Sequence, residues 1–327
     1  MGEELTREVL EAAHCWEAGD RVPGDAAMTD FRRRARLHQA RWRESEGLPI
    51  GTQPIRPRPG TPSRPVGSRL ALDHARRTGA NFVTPAALEA VKARARAPEP
   101  HQMWDDQRLW ADLLWSPTLA FNLFGDLAAD LVNRADADPD RADQALHAWW
   151  PDVPGRARQV RFQHSPGRLD PGYLGNLVGL DAAIVVGLAD GTQGIVGIST
   201  RYHESYRPQA PKPERLARYL EVTQRSGAFG PGAVDAVDGT DLIHLWLEHA
   251  LVLSMLQHPS GAWSWGRLVV VHPAANTNVA AAVARYRRLL TDPSTFASAT
   301  LDDLLADPPL PASSATALRR RYLVPTS

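Results

Sequence analysis

A chain of 327 residues is long enough to bury a large core without disulfide or metal staples. Its single cysteine, Cys15, excludes a disulfide framework and a cysteine-ligated zinc site, and fits a reducing compartment. The 37 basic residues balance 37 acidic ones. No stretch approaches the roughly 18 apolar residues of a membrane span, and no basic start followed by an apolar run suggests a secretory signal, so a cytoplasmic protein with no membrane span is expected.

The charge is unevenly spread. Residues 31–100 hold 15 Arg and Lys against 5 Asp and Glu, whereas residues 101–150 hold 3 against 9. A basic arm beside an acidic block means either phosphate binding by the arm or attraction between the two halves, and both readings stay open.

In chain order, residues 3–18 have helical periodicity. Residues 27–46 read as a strongly basic helix ended by Gly47. Six prolines between Pro49 and Pro65 make 49–66 an extended or irregular loop that packs on something or moves. Thr84-Pro85 is an N-cap followed by proline at the first helical position, predicting a helix to about Ala97. Helices follow near 105–114, from Pro117 to about Asn133, and over 139–150. The period then changes. Segments 157–164, 180–188 and 194–203 read as strands, with Asp190-Gly191 as a hairpin turn. A helix over 212–224 stops at Gly227, and an apolar helix spans 240–257. The run 265–273, "WGRLVVVHP", lacks alternation and predicts a buried central strand. The remainder, 274–323, reads as helices broken at Pro293 and around Pro308–Pro311. The result is an α/β or α+β sheet domain. Either a helical, Pro-rich arm over 1–100 packs on a core over 101–327, or the whole is one domain.

Alternation places Gly197, Ser199, Arg201 and His203 on one face of the 194–203 strand, with Asp181 near that end across the hairpin. An acid beside a polar triplet is a compact place to hold a divalent cation and a phosphate. Each residue also has a plainer reading: Asp181 as turn chemistry, Ser199 as a structural hydroxyl, Arg201 as a salt-bridge partner, His203 as a satisfied strand-end histidine, and Gln163-His164 as a strand end. Asp126 and Asp130 lie one helical turn apart, on what is by default a solvated acidic face. Trp104, Trp110, Trp115, Trp149 and Trp150 read as core anchors rather than base-stacking platforms.

The αβββαβ order, with Asp181 opening the second strand and "STR" (199–201) closing the third, resembles the PD-(D/E)XK nuclease superfamily. The segments "PVGSRL" (65–70), "NFVTP" (81–85), "SPTLAFNLFGDL" (116–127), "VRFQHSPGR" (160–168), "YHE" (202–204) and "KPERLARYLEVTQRSGAF" (212–229) are similar to a bacterial restriction-endonuclease-like branch, over roughly 60–290. The resemblance implies a restriction-endonuclease-like core sheet with extra N- and C-terminal helices. It also implies DNA as partner, Mg²⁺ or Mn²⁺ as cofactor, and metal-dependent phosphodiester hydrolysis; a homodimer is compatible with it.

Carried over residue by residue, the resemblance implies catalytic positions at Asp181, Ser199, Arg201, Gln163 and His203, a metal held by Asp181 and Glu204, and substrate contacts from Arg161, His164 and Arg168. The motif is degraded, however. Ser199 stands where a glutamate is expected, Arg201 where a lysine is, and Gln163 where another glutamate is. Arginine does not act as a base near neutral pH. Replacement acids are sought at Glu204, Glu214, Asp126 or Asp130. The expected function is therefore a DNA endonuclease of weakened or lost activity, or else a non-catalytic DNA-binding or protein-interaction module of the same descent.

Overall fold

The computed structural model describes residues 5–16, 28–56, 60, 62–132, 135 and 137–325. Its centre is a five-stranded mixed sheet in the order β3-β4-β5-β6-β7. The strands are β3 (Arg156–His164), β4 (Leu180–Gly187), β5 (Gln193–Thr200), β6 (Trp263–His272) and β7 (Phe296–Thr300). The first three form an antiparallel meander, and β6 and β7 then run parallel to β5. Strand β4 reads "LDAAIVVG" and is buried on both faces except at its ends, as expected of a strand covered on both sides. Its turn into β5 uses Gly191 at φ +84, a conformation glycine adopts at little cost.

A first layer of helices covers one face: α4 (Pro85–Arg96), α6 (Ser116–Asp130), α7 (Pro139–Trp149), α12 (Leu301–Ala306) and α13 (Ala312–Tyr322). The other face is packed by α8 (Pro213–Ser226), α9 (Ala233–Val237), α10 (Ile243–Leu256) and α11 (Thr277–Arg287). Phe31 and Ala35 of the basic helix α2 (Asp30–Ser45) join the first cluster, so the N-terminal region is packed into the same core. The tryptophans act as packing anchors: Trp149 and Trp150 lie against Phe124, and Trp110 meets Phe82 edge-on.

Several expectations need correction. The first helix, α1 (Arg7–Ala12), is shorter than 3–18, and residues 1–4 and 17–27 lie outside the described residues. The Pro-rich stretch is not irregular throughout, because its ends pair as an antiparallel ribbon, β1 (Ile50–Gln53) with β2 (Arg64–Leu70). Pro65 is tolerated there because it pairs with Thr52 in a two-stranded ribbon, where each strand is an edge, one step in from the Gln53–Arg64 pair at the loop end. The helix near 105–114 is only α5 (Asp106–Ala111), and α3 (Leu72–Thr78) was not anticipated. The C-terminal remainder is not purely helical, since it contributes edge strand β7. Strand β5 ends at Thr200, so Arg201 and His203 leave the sheet instead of continuing one strand face.

Candidate active site

Asp181 stands at the start of β4, between the ends of β3 and β5. Ala182 pairs with Ile198, so Asp181 and Ser199 are cross-strand neighbours one step on. The register thus places Ser199 beside Asp181. Gln163, kinked at φ +48 at the end of β3, donates from Nε2 to Asp181 Oδ1 at 3.1 Å. Thr200 donates its backbone N–H to Asp181 Oδ2 at 2.8 Å, and its hydroxyl lies 2.9 Å from the same oxygen. Burial pushes the Asp181 carboxyl above its usual range, while the Arg201 charge and the Thr200 hydrogen bonds pull the other way.

Arg201 sits just past the strand end, where its backbone N–H donates to Val271 O of β6 at 2.8 Å. One nitrogen lies 3.6 Å from Asp181 Oδ2, and the other donates to Glu248 Oε1 at 2.5 Å. Burial works against its charge, but the opposing charges of Glu248 and Asp181 outweigh that and raise its pKa. Two carboxylates from different elements therefore converge on one guanidinium. Glu248 Oε2 and Ser199 Oγ are both buried without a hydrogen-bond partner.

Glu248 was missed in the sequence. It lies on α10, "IHLWLEHALVLSML", which is apolar almost all round. That context was itself the available signal, because an ionised glutamate inside such a helix must find a partner.

The other acids fall elsewhere. Glu204, expected to share a metal with Asp181, caps the N-terminus of α6. Its oxygens accept from the Ser116 hydroxyl, the Ser116 N–H at 3.3 Å and the His203 N–H at 3.3 Å. Burial would raise its pKa, but the His203 and Ser116 contacts outweigh this and hold it well below the carboxylate range. Asp130 is paired with Arg141, and burial raises Asp126. Glu214 is exposed on the first turn of α8. Among the described residues, no group of three or more His, Cys, Asp or Glu is placed to hold a metal ion.

His203 is buried, with Nδ1 3.1 Å from Leu114 O. His164 and Arg168 are tied to Glu99, at 2.6 Å each, and Arg168 also donates to Gln163 O at 2.8 Å. They brace the β3–β4 connection behind Gln163. Arg161 donates to Gln159 Oε1 at 2.9 Å and lies 6.0 Å from the Trp263 ring centroid.

The basic arm divides its contacts. Arg76 pairs with Asp106 of the acidic block, while Arg32 of α2 donates to His203 O at 3.1 Å beside the site. Among the described residues, no helix is long and apolar enough to cross a membrane.

Comparison with curated proteins and with solved structures gives no significant match. A family model described as PD-(D/E)XK nuclease superfamily matches residues 24–324, nearly the whole chain. With an acid near the start of β4 beside the end of β5, and the match running through both helical layers, the chain belongs to the PD-(D/E)XK nuclease superfamily.

Proposed function

We propose that the chain is a DNA-cleaving nuclease in which Asp181, Arg201 and Glu248 are the working groups. The observation that carries this reading is the meeting of Asp181, from the sheet, and Glu248, from α10, on the Arg201 guanidinium. Glu248 supplies the acid that the strand lacks at Ser199. Arg201 clamps the scissile phosphate through its planar fork and offsets the charge that builds there. Gln163 and Thr200 hold the Asp181 carboxylate in place.

Two acids, Asp181 and Glu248, are a small donor set for a divalent cation, so most of the shell of any such ion would come from water and substrate. Mg²⁺ is commonly held by one or two carboxylates, with waters and substrate oxygens completing its shell. Asp181 and Glu248 would hold it, and Glu248 Oε2, which has no other partner, is the available ligand atom. Such an ion supplies Lewis-acid stabilisation of the phosphate. Arg201 cannot take a proton near neutral pH, so it orients and neutralises but does not act as a base.

The test is cleavage of plasmid and linear DNA with Mg²⁺ or Mn²⁺. Wild type should cut, and Asp181→Asn and Glu248→Gln should each lose 100-fold or more in rate. No cleavage by wild type with either metal refutes the reading. The substitution of Arg201 at a lysine-like position favours a second reading, a DNA-binding module without hydrolysis. That reading requires retention of DNA with a steep salt dependence in the absence of cleavage.

A further inference from the structure

Beside the Asp181–Arg201–Glu248 cluster lies a cavity of about 290 Å³ whose walls include Arg32, Arg108, Arg201, Arg207, Tyr206 and His244. Four guanidinium groups line it against one carboxylate, Glu204, whose oxygens are engaged in capping α6. The walls come from distant parts of the chain: α2, α5, the segment after β5, and α10.

Three of these cations, Arg32, Arg108 and Arg201, are held in position. Arg32 is 3% exposed and bonded to His203 O. Arg108 is fixed by Asp112 at 3.0 Å and lies 5.5 Å from the Trp115 ring centroid. Arg201 is fixed by Glu248 and lies 5.1 Å from the Tyr206 ring centroid.

Two hydroxyls complete the site. Tyr206 is 8% exposed, and neither its O–H nor that of Ser205 has an acceptor, although both residues line the cavity. A buried O–H left without an acceptor is costly, and the cost is recovered when an anion supplies that acceptor. Preset guanidinium groups plus unpaired donors are the chemistry of phosphate recognition.

We infer that this cavity is a subsite for a second phosphate group of the substrate, next to the one that Arg201 clamps. The inference rests on the nuclease reading for the origin of that phosphate, but not for the anion site itself. The phosphate is either terminal or internal to the strand, and both present the same oxygens.

Titration calorimetry in EDTA separates these sources. The probes are oligothymidylates of equal length bearing a 5′-phosphate, a 3′-phosphate or neither, with inorganic phosphate as competitor. Tyr206→Phe keeps the ring and its packing on Arg201, so it removes the donor without removing the wall. It should weaken oligonucleotide binding about tenfold or more, as expected for a hydrogen bond to a charged group. A terminal phosphate as occupant gives a wild-type affinity gain from one terminal phosphate that disappears in the variant. An internal phosphate gives equal affinity for all three probes, each weakened by the variant. The inference is overturned if Tyr206→Phe and Ser205→Ala both leave affinity within twofold, if wild type binds none of the probes, or if inorganic phosphate does not compete. No metal or cleavage enters this measurement. A protein that binds here but cuts nothing keeps the subsite and loses the nuclease, and one that cuts while indifferent to Tyr206 does the reverse.

Discussion

Replacing Glu248 by glutamine tests whether α10 supplies the balancing charge for Arg201. The substitution keeps size and one acceptor oxygen but removes the charge that meets Arg201 at 2.5 Å. Both side chains are largely out of water, at 18% and 12% exposure. Removing one partner of a buried pair costs about 3–5 kcal/mol, because the other charge is stranded. Here the stranding is incomplete, since Asp181 remains 3.6 Å from the other nitrogen. At an effective dielectric near 20, a pair about 4 Å apart is worth roughly 4 kcal/mol, and the more distant Asp181 retains a substantial part of that. The expected loss for Glu248→Gln is therefore about 2–3 kcal/mol. In urea at pH 7 with EDTA, a slope of about 2–3 kcal/mol per molar turns this into a midpoint lower by roughly 1 M with the slope unchanged. The Asp181 carboxyl should also ionise more readily, because the neighbouring negative charge that raises it is gone. A midpoint shift under about 0.2 M would show that Arg201 does not lean on Glu248, and the shared-guanidinium site would fall with it.

Glu99 gives an acid limb whose sign is fixed by its surroundings. Burial would raise its pKa, but hydrogen bonds from His164 and Ser165 and the charges of His164 and Arg94 bring it down to about 2 from an ordinary 4.5. A depressed folded value means its stabilisation is complete above pH 4.5 and is lost as pH falls toward 2. Burial lowers the His164 pKa, so at pH 7 that imidazole is neutral and Arg168, Arg94 and the Ser165 N–H carry the effect. Glu99→Gln should cost about 1–2 kcal/mol there, and the gap to wild type should narrow between pH 4.5 and 2 in denaturation at stepped pH. A gap that is constant with pH contradicts the ion cluster. Gly125 sets the approach of α6 to α4, since a Cβ there would meet Ala87 Cα at 2.6 Å and Ala87 N at 2.7 Å. Gly125→Ala should lower stability by about 1–2 kcal/mol, because the backbone clash outweighs the gain of roughly 1 kcal/mol in helix propensity. A variant with a higher melting temperature would contradict that packing.

The central strands were legible because burial on both faces selects unbroken apolar runs such as "AIVV" and "LVVV", and because Asp190-Gly191 marks its own turn. Strand β7, "FASAT", was not. Its small residues carry no alternation, and its pairing is decided by β6 alongside it. The β1–β2 ribbon was hidden by prolines, most of which fall between the paired segments. At the site, strand alternation across the hairpin finds Asp181 and Ser199, but Gln163 was reached only through the resemblance, and Thr200, which alternation puts on the opposite face, is the β5 residue that bonds Asp181. Glu248 and Arg32 could not be placed that way. They arrive from helices 47 and about 170 residues from their partners, and only the tertiary fold brings them in.

Desolvation gives a physical argument for reading the Asp181–Arg201–Glu248 cluster as functional rather than structural, and it is open to test. Taking three charges out of water costs several kcal/mol per ion, and their mutual attraction at best balances it. The cluster sets two acids against one guanidinium, burial pushes the Asp181 carboxyl up, and Glu248 Oε2 is left without a hydrogen bond. A sheet end built only for stability would be better filled with apolar side chains, which are already the rule on β4, β5 and α10. Replacing all three together, Asp181→Leu, Arg201→Met and Glu248→Leu, should therefore leave stability within about 1 kcal/mol of wild type or raise it, although Glu248→Gln alone is costly. Such non-additivity is the signature of charges that satisfy one another. Urea midpoints of the single and triple variants, with cleavage and DNA retention measured on the same samples, decide the matter. A triple variant that folds well and has lost cleavage places the cluster in the chemistry. One that loses as much stability as its single changes summed shows instead that the three residues hold the sheet end together.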